Sequence, residues 1–272
     1  LDHTDILGET EELIAGEKCG IIKPGCHVVT SPQKEEVMRV IEKTCGAKNV
    51  LLVRAGEHVT WRGLGFDIHR QLLRVKGRFG EYELSLPLLG DVQMENAADS
   101  VAAAELLAMQ GFRVSKQNII DGLARVKWPG RFQVLQERPY LLIDGAHNPY
   151  SAQKLREAIE KYFPYEDETS GENRPERVDK RTLIIGTSTD KDNAGIVAGL
   201  YPAFDRVIVT RSRHPRAAST EFLVKEFASH GVRAETAEDV PQALSLAMPA
   251  SGASDLICAT GSLFVAGEVL EQ

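Results

Sequence analysis

Leu141-Leu142-Ile143-Asp144-Gly145-Ala146-His147-Asn148-Pro149 is the stretch that decides the fold. Three apolar residues make a short strand that ends at a carboxylate. Gly145 allows a tight turn and close approach of a ligand, and Asn148 or Ser151 can cap the helix that follows. Outward from this unit the chain alternates. Strands are expected at 141–144, 182–186, 206–210 and 255–260. Helices are expected at 151–162, 194–200, 220–230, 241–248 and from 263 to the end. Such alternation implies a mostly parallel sheet covered on both faces. Residues 164–180 are polar and without period, and read as a mobile surface insertion.

Lys127-Trp128-Pro129-Gly130-Arg131 breaks the pattern and is the expected boundary, dividing 1–127 from 128–272. Before it, a short helical pattern carries Lys18 near its end, followed by a strand at 28–30, a helix at 32–43 and a buried strand at 49–54. Residues 67–75 and 81–86 alternate around Lys76-Gly77-Arg78-Phe79-Gly80 as an antiparallel hairpin. An Ala-rich helix at 96–110 and a shorter one at 115–125, capped by Ser115, complete this half.

The bulk properties set limits. A chain of 272 residues suggests two domains. A hydrophobic content of 43% and a charged content of 26% are those of a globular protein. The net charge of −7, with dispersed basic residues, argues against duplex nucleic acid as a partner. Cys19, Cys26, Cys45 and Cys258 lack CxxC or metal-ligand spacing and read as reduced, mostly buried thiols of a cytosolic protein. No apolar run reaches the ~18 residues that suggest a membrane span. The chain opens on Leu1-Asp2-His3 without an initiator Met, which leads us to expect further sequence upstream, so a targeting peptide stays open.

Candidate chemistry lies in five places. On the Asp144–Asn148 turn, Asp144 and Asn148 suffice as turn and cap residues, but a cap has no need of the imidazole of His147. His3 at a strand end and Lys18 at a helix end each have an ordinary reading as a surface residue. An apolar pair follows Lys18 after Cys19-Gly20, so Lys18 is expected where the helix packs down. A buried Lys tends to lose its proton, and a neutral amine can take up carbon dioxide to give a carbamate, a hard oxygen ligand suited to Mg²⁺. Arg131 sits on a rigid turn, either a hinge or a cation meeting phosphate. Asn96 reads as an N-cap whose amide can also read a nucleobase edge. Thr187-Ser188-Thr189 and Asp190-Lys191-Asp192 read as a loop and helix start. No GxGxxG, HExxH, GxSxG or complete P-loop is present in these residues.

LDHTDILG at 1–8, EKCGIIKPG at 17–25, LLGDVQMENA at 88–97, WPGRFQVL at 128–135, DGAHNP at 144–149, DKD at 190–192, HPRA at 214–217 and TGSLFVAGEV at 260–269 come in this order. Together they resemble the folylpolyglutamate synthases and dihydrofolate synthases of the Mur ligase family. The resemblance implies an α/β protein: the C-terminal part of a P-loop-type central ATPase domain over 1–127, then a Rossmann-like Mur ligase C-terminal domain over 128–272. It implies ATP-dependent ligation of L-glutamate to a folate or dihydropteroate carboxylate through an acyl phosphate.

The implied roles follow the matching positions. His3 would bind the second of two Mg²⁺ ions, and Lys18, as its carbamate, would help place metal and phosphate. Asn96, Arg131 and Asp144 would contact ATP. His147 would organise the incoming glutamate, with Ser262 sharing that role. Lys18, Asp144 and His147 are the implied catalytic set. A monovalent cation such as K⁺, a cytoplasmic monomer and no membrane or nucleic-acid partner are also implied. The family's glycine-rich P-loop and first metal ligand would lie upstream of residue 1, so these residues alone are expected not to turn over ATP. One departure is Val92 in LLGDVQ, where the family usually has His. Two other readings are a Mur-type ligase acting on a peptidoglycan precursor and a non-catalytic nucleotide-binding module.

Overall fold

The computed structural model describes residues 10–165 and 175–272. His3 therefore lies outside the described residues, as does the middle of the 164–180 insertion. The chain divides into two compact units. One comprises Leu1–Leu64, Gln71–Pro87 and Asp91–Val126; the other comprises Gly65–Arg70, Leu88–Gly90 and Lys127–Gln272.

In the first unit, α1 (Glu11–Cys19) is capped by Thr10, whose hydroxyl accepts from Leu13 N at 3.3 Å. Glu11 and Glu12 in its first turn suit the helix dipole. Strands β1 (His27–Thr30) and β2 (Leu51–Arg54) pair in parallel, joined by α2 (Glu35–Ala47). Cys19, Ile22 and Cys45 form a small core with Val28, Val40, Ile41, Val50 and Leu52 packed against it. A three-stranded sheet follows: β3 (Thr60–Phe66), β4 (Gln71–Lys76) and β5 (Glu81–Leu86).

α3 (Asp91–Met109) turns Glu105 inward beneath the β4–β5 hairpin. Its carboxylate accepts from Arg78 N at 2.8 Å, Phe79 N at 3.0 Å and Tyr82 Oη at 2.8 Å. Burial and this carboxylate push the Tyr82 phenol up to about 12. Gly77 is required because a Cβ there would run into the Glu105 carboxylate. α4 (Lys116–Ala124) carries a full capping box between Ser115 and Asn118.

The second unit is a six-stranded sheet with β6 (Gln133–Glu137), β7 (Tyr140–Ile143), β8 (Arg181–Ile185), β9 (Arg206–Val209), β10 (Ala234–Thr236) and β11 (Leu256–Thr260). Their spatial order is β10-β9-β8-β11-β7-β6, all parallel except the edge strand β6. Helices α5 (Pro149–Tyr162), α6 (Asn193–Leu200) and α7 (Thr220–Ser229) bury Leu155, Ile159, Val197 and Phe227 with Leu142, Leu183, Val207 and Cys258. Helices α8 (Val240–Ala247) and α9 (Leu263–Leu270) bury Val240, Ala243 and Val265 with Ile143, Ile184, Ile208 and Ala259. Alternate strand residues thus serve opposite faces, as a period of two requires. β11 returns between β7 and β8, and its following helix lies on the face opposite α5 and α6. Such a reversal opens a crevice at the carboxyl ends of the strands.

Four expectations need correction. The Ala-rich helix begins at Asp91, so Asn96 is an exposed residue inside it and not its cap. Strands β3, β6 and β10 were not expected. The ends of the 164–180 segment are pinned: Val178 is buried and its N–H donates to Pro164 O at 3.0 Å, while Tyr140 Oη donates to Glu176 at 2.6 Å. Lys18 is exposed on the last turn of α1; Ala15 and Cys19 are the buried positions.

Candidate functional site

Asp144 organises the carboxyl end of β7. One carboxylate oxygen accepts from Ala146 N at 2.8 Å and the other from Phe132 N at 2.8 Å. A second link runs the other way, from Gly145 N to Gly130 O at 2.9 Å. The Trp128–Phe132 turn is thereby stitched to the Asp144–His147 turn. Holding Phe132 N toward Asp144 uses a left-handed backbone at Gly130 (φ 73°) and at Phe132 (φ 42°). Burial raises the Asp144 carboxyl above its ordinary value; the two N–H donors and the positive fields of Arg131 and His147 act against the rise.

Arg131 stands between these anchors, half-buried, and its guanidinium makes no hydrogen bond within the described residues. His147 is half-buried, its Nδ1 2.8 Å from Gly145 O. That carbonyl can only accept, so Nδ1 carries a proton. Asn148 caps α5, accepting from Ser151 N at 2.8 Å, while Ser151 Oγ accepts from Asn148 N at 3.1 Å and His147 N at 3.0 Å. Both residues suggested as caps thus act together in one box.

The adjoining strand ends complete this edge of the sheet. Ser262 caps α9, its Oγ accepting from Val265 N at 3.1 Å, so its first task is structural. Leu263 packs so closely over Gly145 that a Cβ there would lie 3.0 Å from Leu263 Cγ and closer still to its methyl. Gly261, at φ 97°, passes Gly186 O at a distance that leaves no room for a side chain. Asp192 caps α6 by accepting from Gly195 N at 2.9 Å. The loop after β9 is held to α9: Arg213 N donates to Glu268 at 2.7 Å, and the His214 ring stacks on Phe264 at 3.9 Å. Arg216 pairs with Asp190 at 3.3 Å.

Reasoning from sequence missed a set of buried oxygens at this edge. Thr187, Thr210 and Thr260 Oγ1 and Asn193 Oδ1 have no hydrogen-bond partner among the described residues. Three of them fall one or two residues from a strand end or on it, the position where ligand contacts concentrate in such sheets. Glu268, which fixes the Arg213 loop, was also missed. An acidic residue buried in the apolar Leu263–Leu270 helix was the available signal.

Arg131, Asp144, His147 and Ser262 all belong to the second unit, whereas Lys18 and Asn96 belong to the first. Among the described residues no group of three His, Cys, Asp or Glu side chains gathers to hold a metal. No described helix is long and apolar enough to cross a membrane.

Known proteins similar to this chain are found over its whole length. Residues 130–263 match the family model of the Mur ligase, glutamate ligase domain. The dihydrofolate synthase/folylpolyglutamate synthase of Escherichia coli K12 is 32% identical over 273 residues, covering 100% of this chain and 57% of that protein. A probable bifunctional folylpolyglutamate synthase/dihydropteroate synthase of Halobacterium salinarum is 31% identical over 98% of this chain and 31% of its own length. Among solved structures, Mycobacterium tuberculosis folylpolyglutamate synthase complexed with ADP has a TM-score of 0.82 at 29% identity, over 100% of this chain and 61% of that one. E. coli FolC in complex with DHPP and ADP has a TM-score of 0.78 at 28% identity, over 100% and 58%. The chain thus spans less than two thirds of the length of these relatives. Residues 130–263 are a Mur ligase C-terminal, glutamate ligase domain, and folylpolyglutamate and dihydrofolate synthases are relatives of the chain over its whole length.

Proposed function

We propose that this chain takes part in ATP-dependent ligation of L-glutamate to the carboxylate of a folate or dihydropteroate. The observation that carries the reading is the double stitch from Asp144 to the Arg131 turn, which sets a cation and an imidazole at one sheet edge. Transfer of the γ-phosphoryl group of ATP to the pterin-linked carboxylate gives an acyl phosphate. The amine of glutamate attacks its carbonyl carbon, and phosphate leaves from the tetrahedral intermediate. Arg131 offsets negative charge on the phosphates. Asp144 fixes Arg131 through the backbone at Phe132. His147, its ring fixed by the contact of Nδ1 with Gly145 O, organises the incoming glutamate. Ser262 serves the same substrate through its hydroxyl proton, its oxygen being engaged as a cap. Asn96, exposed on α3, meets the nucleotide.

The reading includes Mg²⁺ and a monovalent cation such as K⁺. The described residues do not fit a complete metal site: no group of three His, Cys, Asp or Glu side chains gathers among them, and Lys18 is exposed on α1, not packed down. No step is routed through these ions. The two units carry the latter part of an ATP-binding domain and a glutamate ligase domain, in a cytoplasmic monomer.

The test is incorporation of labelled glutamate into folate by the protein expressed from its full reading frame. Incorporation should require ATP, release ADP in step, and be lost in Arg131→Ala and Asp144→Asn. A preference for another amino acid, or for an acceptor without a pterin, would overturn the reading.

A further inference from the structure

Three of the four cysteines meet in the first unit. Cys19 ends α1, Cys45 lies in the last turns of α2, and Cys26 immediately precedes β1. Cys19 and Cys45 are buried centres of one apolar cluster with Ile22, and half-buried Cys26 packs against it. The chain between Cys19 and Cys26 is a folded loop, with Ile22 N donating to Cys19 O at 3.1 Å and Cys26 N to Lys23 O at 3.3 Å. The Lys48 ammonium donates to Ile22 O within that loop, which places a cation beside the thiols.

We propose that this cluster is a thiol oxidation site, in which a hydroperoxide oxidises Cys26 and Cys19 closes a disulfide on it. Exposure selects Cys26 as the first thiol to react, since a buried sulfur is shielded from oxidant. The Cys26 thiolate attacks the peroxide O–O bond, giving the sulfenic acid and releasing an alcohol or water. The Cys19 thiolate then attacks the Cys26 sulfur and expels hydroxide. Overall, two thiols lose two electrons and two protons, and the hydroperoxide is reduced to alcohol and water. Cys45 is the poorer resolving group: it is the more deeply buried of the two and is held within α2, whereas Cys19 is the last residue of α1 on the loop that leads to Cys26. The disulfide closes the loop over Gly20–Gly25 and fixes the end of the helix that carries Lys18.

The experiment treats the protein with tert-butyl hydroperoxide, blocks free thiols after unfolding, and maps disulfides by mass spectrometry. Two of the four thiols should be lost, in a dithiothreitol-reversible Cys19–Cys26 link within one chain. Cys258, fully buried with its thiol raised well above its usual value, should remain free as an internal control. In Cys19→Ser the Cys26 sulfenic acid should persist and be trapped by dimedone; Cys45→Ser should still form the link. Retention of all four thiols in the unsubstituted protein overturns the proposal, as does a link made by Cys45, by Cys258 or between chains. The unsubstituted protein alone decides between these outcomes should a variant fail to fold.

Discussion

The carboxyl edge of the second unit and the helix end bearing Lys18 in the first unit are built on opposite principles. At Asp144 the side chain proposed for chemistry is also a structural tie, accepting from two backbone N–H groups in two turns. At Lys18 the side chain is exposed and the helix is held by its neighbours Ala15 and Cys19. A residue of the first kind cannot be removed without loosening its surroundings; one of the second kind can. The first unit has its own tie in Glu105, which accepts from three donors beneath the hairpin.

Glu105→Ala should show the largest stability loss. It leaves two backbone donors and a phenol unpaired in a buried place, a cost of roughly 3–5 kcal/mol. Urea unfolding followed by an environment probe in the first unit measures it. Glu105→Gln keeps the volume and removes the charge. Since the carboxylate helps push Tyr82 up to about 12, the phenol should then titrate lower by ultraviolet absorbance. An unchanged Tyr82 titration would mean that burial alone sets it.

Asp144→Ala should follow, at about 2–4 kcal/mol for two unpaired donors. Its pH dependence sharpens the comparison further. The folded carboxyl is raised, so the native state holds this proton more tightly than the unfolded chain. Its stabilisation is full below the unfolded value near 3.8 and is lost as pH rises through the folded value. Asp144→Asn should therefore lessen the fall in stability with rising pH above 3.8. A steeper fall would show that the N–H bonds and Arg131 outweigh burial.

Much of the second unit could be read because its inner strands are continuous apolar runs buried on both faces, as in Leu183-Ile184-Ile185 and Ile257-Cys258-Ala259. Ala234–Thr236 is too short and polar to give that signal, and β6 carries glutamines at an exposed edge after a Trp-Pro-Gly break. In the first unit, two glycines interrupt Thr60–Phe66 and conceal β3, while the alanine run after Asn96 hid the polar opening turn of α3. Asp144 and His147 stood out through their turn. That Asp144 would reach Phe132, twelve residues back, was not legible, because a strand pairing and a left-handed Phe132 bring them together. Burial of Lys18 was misjudged from the following Ile21-Ile22 pair, of which only Ile22 turns inward.

Two smaller effects probe the same edge. Gly145→Ala forces a methyl into Leu263, a flexible side chain, and should cost about 1–3 kcal/mol. Leu263→Ala should relieve much of it in a double-mutant cycle; an additive result would show that the turn moves instead. Ser262→Ala removes the cap of α9 and should cost about 1 kcal/mol in thermal or urea unfolding. Ser262→Asn, another good cap, should restore most of it. Glutamate incorporation that remains low despite that recovery would assign the hydroxyl to substrate.

Lys18→Ala gives the smallest change in stability and the sharpest contrast. An exposed helix residue with its core neighbours intact should alter unfolding by less than ~0.5 kcal/mol. Its ammonium in the last turn complements the dipole of α1, which accounts for a few tenths of a kcal/mol at most. If Lys18 serves as the carbamate that the family resemblance implies, the same change should lower glutamate incorporation at least tenfold. Activity lost without stability would mark Lys18 as a group kept for chemistry alone, unlike Asp144, where fold and chemistry fail together. Activity retained would remove Lys18 from the working residues, since exposure then leaves it nothing to do but face water.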